Sequence, residues 1–187
     1  MKKPIVRFIL SFIIAISPQW AYSDPMKRLS EKKNRKTLNQ IELAISAFNP
    51  KLDRDYVKKI AVATQVRANE HKLDPMLLVS IINAESSFNQ SALSSTNDIS
   101  IVQINPSVWT PEYFKKVTGE NLNLKKLKTD EAYAIARMCL ILSYYKKNYP
   151  NDKKWFARYH SGNQRHKNKY ALKIEKGLSK IYALSHN

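Results

Sequence analysis

The sequence predicts a mainly α fold (α+β in class), a single domain with at most a small β element. Three observations point there. Only 3 of the 187 residues are Gly, and stretches that alternate apolar and polar residues are scarce. Apolar residues instead recur at helical spacing, in segments that open on helix-capping residues. With 43% hydrophobic and 25% charged residues, the composition is that of an ordinary globular protein able to bury a core.

Taken in order, the first helix is expected over about 38–48 (LNQIELAISAF), ending before Pro50. The second runs over about 54–72, with Val57, Ile60, Ala61, Thr64 and Ala68 spaced as a buried stripe. The third opens at Asp74-Pro75, a capping residue followed by a proline at the position where a helix accepts one, and continues through MLLVSIINAES to about Ser86. The turn-rich segment FNQSALSSTND then leads to ISIVQI (99–104), readable as a strand or as part of a short helix. Pro111 starts a helix to about Val117. Thr129 is expected to cap a long one to about Asn148, with Ala132, Ile135, Ala136 and Cys139 towards the core. Two more helices follow, over about 152–160 and 167–184. No internal repeat is visible, so residues 37–187 read as one domain.

The N-terminus reads as an export signal. Lys2, Lys3 and Arg7 precede a 9-residue, mostly apolar run, Phe8 to Ile16. Pro18 breaks the run, and Ala21-Tyr22-Ser23 places small residues where a signal peptidase reads them. A spanning helix needs ~20 apolar residues, so a membrane anchor fits poorly. Residues 1–23 are therefore expected to be a cleaved signal peptide, and the protein periplasmic or secreted. Residues 24–36 (DPMKRLSEKKNRK), with six basic side chains, read as a flexible basic arm. The single Cys139 can form no intramolecular disulfide, and its apolar neighbours make it a buried thiol.

The formal net charge is +17; removing Lys2, Lys3 and Arg7 leaves 17 − 3 = +14. Such a surplus implies a polyanionic partner. For an exported chain the candidates are wall polymers, anionic lipid head groups or released DNA. The basic residues are spread out with no recognition motif, which speaks against nucleic acid. A solubilising surface with no specific partner explains the charge as well.

Glu85 is the carboxylate that stands out. It follows the run Met76 to Ala84, too apolar to face water all round, and it sits near a helix C-terminus, where the macrodipole disfavours negative charge. Burial and dipole both favour the protonated form, the poise a general acid needs near neutral pH. From physics alone a Glu facing solvent, or paired with one of the 32 basic residues, is the commoner explanation of the position, since carboxylates are mostly exposed.

Leu73-Asp74-Pro75 leads into Glu85-Ser86-Ser87-Phe88-Asn89. Ala92, Ser94 and Ile101-Val102-Gln103-Ile104-Asn105-Pro106 follow, and Ala157-Arg158-Tyr159-His160-Ser161-Gly162 comes later. This series resembles the soluble lytic transglycosylase (SLT) family, relatives of goose-type lysozyme. That family carries E-S-x-F-N-P-x-A-x-S, then G-L-M-Q-I-x-P, then A-Y-N-A-G; Tyr170 and Ile174 resemble its closing helix. Two departures are evident. Asn97-Asp98-Ile99-Ser100 stands where the family has G-A-x-G, so backbone conformations suited to Gly meet side chains, and Gln90 replaces a Pro.

The resemblance implies a lysozyme-like domain whose β element lies beside a catalytic cleft, and a substrate of peptidoglycan glycan strands. It implies cleavage of the MurNAc–GlcNAc β-1,4 bond with a 1,6-anhydromuramyl product, using one catalytic carboxylate, Glu85. Tyr159 would orient near the acid or the developing charge. Ser86, Ser94, Gln103, Asn105 and His160 would support the acid or bind sugar. No cofactor is expected, and the four His show no metal-ligand spacing. Two rivals stand beside this reading. Asp98 is the only acid between Glu85 and Glu112, and as a second carboxylate it would make a hydrolytic lysozyme. Alternatively, the altered 97–100 segment fits an inactive wall-binding protein of a secretion or conjugation apparatus.

Overall fold

A computed structural model describes residues 25–184; the expected leader over 1–23 lies outside them. The described chain is mainly α, with seven α-helices, a 3-10 helix and two isolated β-bridges.

Helix α1 spans Pro25–Phe48, starting well before the expected position near residue 38. Residues 25–36, expected as a flexible arm, are thus helical. Met, Lys, Arg, Leu and Glu are all strong helix formers and no Gly interrupts them, although the segment lacks the apolar stripe that marks a helix in a sequence. The stripe begins later, where Ile41, Ala44 and Ile45 enter the core.

Helix α2 (Arg54–His71) is capped by Asp53, whose carboxylate accepts the amides of Asp55 and Tyr56 at 2.8 and 3.1 Å. Its stripe of Val57, Ile60, Ala61, Thr64 and Ala68 is buried, as the spacing predicts. Helix α3 (Pro75–Ser86) matches its expected bounds, with the Asp74 carboxylate 2.8 Å from the Met76 amide. From Met76 to Ile82 every side chain is buried, so α3 is apolar all round and packs against both α2 and the last helix. Burying Leu78, Ile81 and Ile82 contributes ~2 kcal/mol each, enough to fix where the end of α3 points.

Helix α4 covers Pro111–Thr118 and α5 covers Leu124–Thr129. The short α5 has no counterpart in the sequence reading, and it displaces the expected cap. Thr129 is the last residue of α5, its hydroxyl donating to the Lys125 carbonyl at 3.0 Å. Asp130 instead caps α6 (Glu131–Asn148), accepting from the Tyr133 amide at 3.0 Å. Within α6, Ile135, Ala136 and Cys139 are buried and Ala132 is half-buried. Burial pushes the Cys139 thiol up to about 12, so it stays protonated and inert.

The segment expected as a helix over 152–160 is a 3-10 helix, Trp155–Tyr159. Asp152 sits below it as a knot, accepting from Arg158 at 3.0 Å and from the buried Lys167 ammonium at 2.8 Å. That knot ties the 3-10 helix to α7 (Gln164–Leu184), which packs on α3. Three elements therefore meet at the C-terminal end of α3.

Candidate active site

Glu85 lies in the last turn of α3, which Ser87 caps with a φ of 53°. The wall facing it is not the strand or short helix that ISIVQI allowed. Ile99 pairs with both Leu93 and Ile104, and the Ile99 and Ile104 amides exchange hydrogen bonds of 3.0 and 3.1 Å. Residues 100–103 form the tight turn between them, a small β element of the expected kind.

Three residues of this loop hold left-handed backbone: Asn97 (φ 65°), Ser100 (φ 74°) and Gln103 (φ 50°). Asn97 and Ser100 are the positions at which the SLT pattern has Gly. The backbone keeps the Gly-type conformation and carries side chains in it, at ~1–2 kcal/mol per residue, less for Asn. Three side chains from outside hold the turn. The Ser86 and Tyr159 hydroxyls donate to the carbonyls of Ile101 and Val102, each at 2.6 Å, and Gln90 Oε1 accepts the Ile101 amide at 3.3 Å. Gln90 also donates to the Leu127 carbonyl at 3.1 Å, so the residue replacing the pattern's Pro links the turn to α5.

Between the turn, α3 and the 3-10 helix lies a cavity of about 340 Å³ whose walls include Glu85, Asp98, Gln103, Trp109, Tyr159 and His160. The Glu85 carboxylate accepts a hydrogen bond from the Tyr170 hydroxyl of α7. Its pKa is pushed up to about 7. Burial is the main cause and the Asp98 charge adds to it, while the Tyr170 hydrogen bond and the Lys173 ammonium oppose the rise. The Lys173 ammonium is anchored 2.6 Å from the Ala84 carbonyl.

Asp98 has the opposite poise. Burial pulls it upward, but donors outweigh that and hold the carboxylate below its ordinary range. Ser94 and Thr96 donate to Oδ2 at 2.6 and 2.7 Å, and Asn105 and His160 also favour the charge. One cavity thus presents a carboxyl that is protonated to near neutrality and a carboxylate that is ionised. Environments that split two acids in this way suit acid catalysis by one and charge stabilisation or base catalysis by the other.

The remaining expected residues divide between cavity wall and scaffold. Tyr159 lines the cavity, but its hydroxyl proton goes to Val102 and burial drives its pKa well up. Gln103 lines it too, with its amide donating to the Ala92 and Ser100 carbonyls at 3.0 and 2.9 Å; only its oxygen is left to accept. Asn105 is on the wall, donating to the Thr96 carbonyl at 2.9 Å and accepting from Ser107 at 2.9 Å. His160 is on the wall and stacks on Tyr170, the rings 4.6 Å apart and 9° from parallel; burial, then His166 and Lys173, lower its pKa. Ser86 and Ser94 act behind the wall, through Ile101 and Asp98.

Tyr170 is the residue the sequence reading placed in the closing helix without assigning it to the site. Its only sequence signal was that match, because 85 positions separate it from Glu85. Among the described residues no group of three or more His, Cys, Asp or Glu side chains gathers as a metal site requires.

A family model described as the Transglycosylase SLT domain matches residues 63–181, from within α2 to near the end of α7. Comparison with curated proteins finds no match, and neither does comparison with solved structures.

Proposed function

The chain belongs to the transglycosylase SLT family, an enzyme type that acts on peptidoglycan, and from that premise we propose that it cleaves the MurNAc–GlcNAc β-1,4 bond with Glu85 as acid and then base. The observation that carries this reading is the Glu85 carboxyl on the wall of a cavity it shares with Asp98 and Gln103, with its pKa pushed up to about 7. As acid, Glu85 gives its proton to the leaving glycosidic oxygen while the C1–O bond breaks. As base, its carboxylate takes the proton of the muramyl 6-hydroxyl while that oxygen bonds to C1. A 1,6-anhydro ring closes and the carboxylic acid is regenerated, so no water is consumed.

Tyr170 supports both halves of the cycle. Its hydroxyl stabilises the carboxylate and orients the reacting oxygen, and His160 stacked against it limits its rotation. Tyr159 and Ser86 hold the turn that carries Gln103, whose free amide oxygen accepts from a sugar hydroxyl or acetamide. Export through the expected leader puts the enzyme in the periplasm or beyond, where its substrate is.

Asp98 favours a second reading. It shares the cavity with Glu85 and is held ionised. Two carboxylates of split pKa are what a hydrolytic muramidase uses, with the second activating water. Purified chain and its Glu85→Gln variant, incubated with sacculi, separate the readings by the mass of the released sugars. Anhydromuramyl ends from the unmodified chain, with ~10²–10⁴-fold less from the variant, establish the transglycosylase. Reducing ends that vanish with Asp98→Asn establish the hydrolase. Binding without release by either protein leaves a wall-binding module.

A further inference from the structure

Glu85 stands on the boundary between two cavities. A second one, of about 600 Å³, continues from the acid along α7, and Glu85, His160 and His166 line both. Their chemistry differs. The first is walled by Asp98 and by amide and hydroxyl groups, whereas the charged lining of the second, Glu85 aside, is cationic: Lys169, Lys173 and Lys176.

These lysines stand at i, i+4 and i+7 on α7 and share one face of the helix, all three exposed. Lys173 bonds the Ala84 carbonyl, but no hydrogen bond or ion pair among the described residues engages Lys169 or Lys176. No Asp or Glu stands three or four positions from either one along the chain. Like charges at these spacings destabilise a helix by several tenths of a kcal/mol per pair, so the stripe opposes helix formation unless an anion joins it. Leu172, 52% exposed, adds an apolar contact on the same wall.

Lys169 and Lys176 are seven residues apart, ~10 Å along the helix. The lactyl carboxylate of a muramyl sugar is a single charge on the sugar ring and cannot span that distance. A peptide attached to it reaches the distance in about three residues and brings several carboxylates. We propose that the second cavity is a cationic subsite for the carboxylates of the peptides borne by muramyl residues, so that the enzyme takes peptide-bearing glycan in preference to bare glycan. The proposal rests on the peptidoglycan-cleaving reading above. Ammonium–carboxylate hydrogen bonds would hold the peptide beside α7 and so place the adjoining glycosidic oxygen over Glu85.

The test compares glycan strands of matched length, with peptides intact or removed by an amidase that leaves the lactyl carboxylate. The unmodified chain is expected to cleave the peptide-bearing strands roughly threefold to thirtyfold faster, the range for a few exposed charge pairs. In the Lys169→Glu/Lys176→Glu variant that ratio falls to about one. Lys169→Arg/Lys176→Arg keeps it, as does Lys125→Glu/Lys128→Glu, which alters net charge equally at residues lining neither cavity. A ratio near one in the unmodified chain, or a ratio that survives the double Glu variant, overturns the subsite while leaving the cleavage reading intact. If neither substrate is cleaved, that reading fails, and retention of Glu85→Gln protein on the two strands decides the subsite. Preferential retention on peptide-bearing strands, lost with the double Glu change, upholds it; equal retention overturns it.

Discussion

At the scale of single residues, the site turns on how its surroundings set the proton of Glu85. Raising this pKa from 4.5 to about 7 means that the folded chain binds the proton more tightly than the unfolded chain. Between these values stability falls as pH rises, because the folded state must give up a proton that the unfolded state has already lost. Glu85→Gln removes that burden. The variant should be as stable as the parent below pH 4.5 and progressively more stable up to about pH 7, by at most ~3 kcal/mol, which denaturant melts across the pH range would measure. Tyr170→Phe acts in the same direction on the acid itself. It removes a donor that favours the carboxylate, so the alkaline limb of kcat/KM should move up by about one pH unit, while kcat drops through lost orientation. A limb that stays in place would show that Tyr170 does not sense the Glu85 charge. Glu85 stood out in the sequence for its place at the end of an all-round apolar helix, but only the resemblance to the SLT pattern set it apart from a Glu that faces solvent or pairs with a basic residue. Tyr170 did not stand out, because nothing local marks a tyrosine on α7 as the one that reaches the end of α3.

Among the elements, the loop over 93–104 shows the most backbone tension, and it is where the sequence departs from the family pattern. Ser100 is buried with a φ of 74° and no glycine to relieve it. Its hydroxyl gives little in return: it accepts from the Val102 amide at 3.4 Å. Ser100→Gly should therefore raise stability by ~1 kcal/mol, the left-handed cost less the entropy glycine adds to the unfolded chain. Ser100→Ala, which keeps the Cβ, should give no gain, and thermal melts of the pair isolate the backbone effect. If the glycine variant also cleaves faster, the strained turn limits the enzyme; if it cleaves more slowly, the side chains at 97–100 hold a geometry the reaction uses. Helix α2 was legible from its buried stripe, α3 from the Asp74-Pro75 start and α4 from Pro111. Helix α5 was missed because only Leu127 of its six residues is buried, which leaves no periodicity to see. The turn at 100–103 escaped because four apolar residues in six resemble a strand, and only the anchors from Ser86, Gln90 and Tyr159 bend them back.

For the whole molecule the governing quantity is charge. The chain carries +17 and its substrate is a large polyanionic mesh, so encounter is governed by a field that extends well beyond any single contact. Glu85 and Tyr170 are at least partly removed from water, and their hydrogen bond is far less sensitive to salt than surface attraction is. Salt should therefore separate encounter from chemistry. Raising ionic strength from about 0.05 M to 0.5 M shortens the screening length from above 10 Å to about 4 Å, and kcat/KM on sacculi should fall by an order of magnitude or so. Turnover of a soluble, saturating glycan fragment should change little over the same range. The lysines of α7 add a local contribution to this general one. Lys169→Glu/Lys176→Glu should flatten the salt dependence on sacculi more than Lys125→Glu/Lys128→Glu does, although each lowers the net charge by four. A salt-independent rate on sacculi would assign the basic surplus to solubility, and the catalytic cleft would then find its substrate by collision alone.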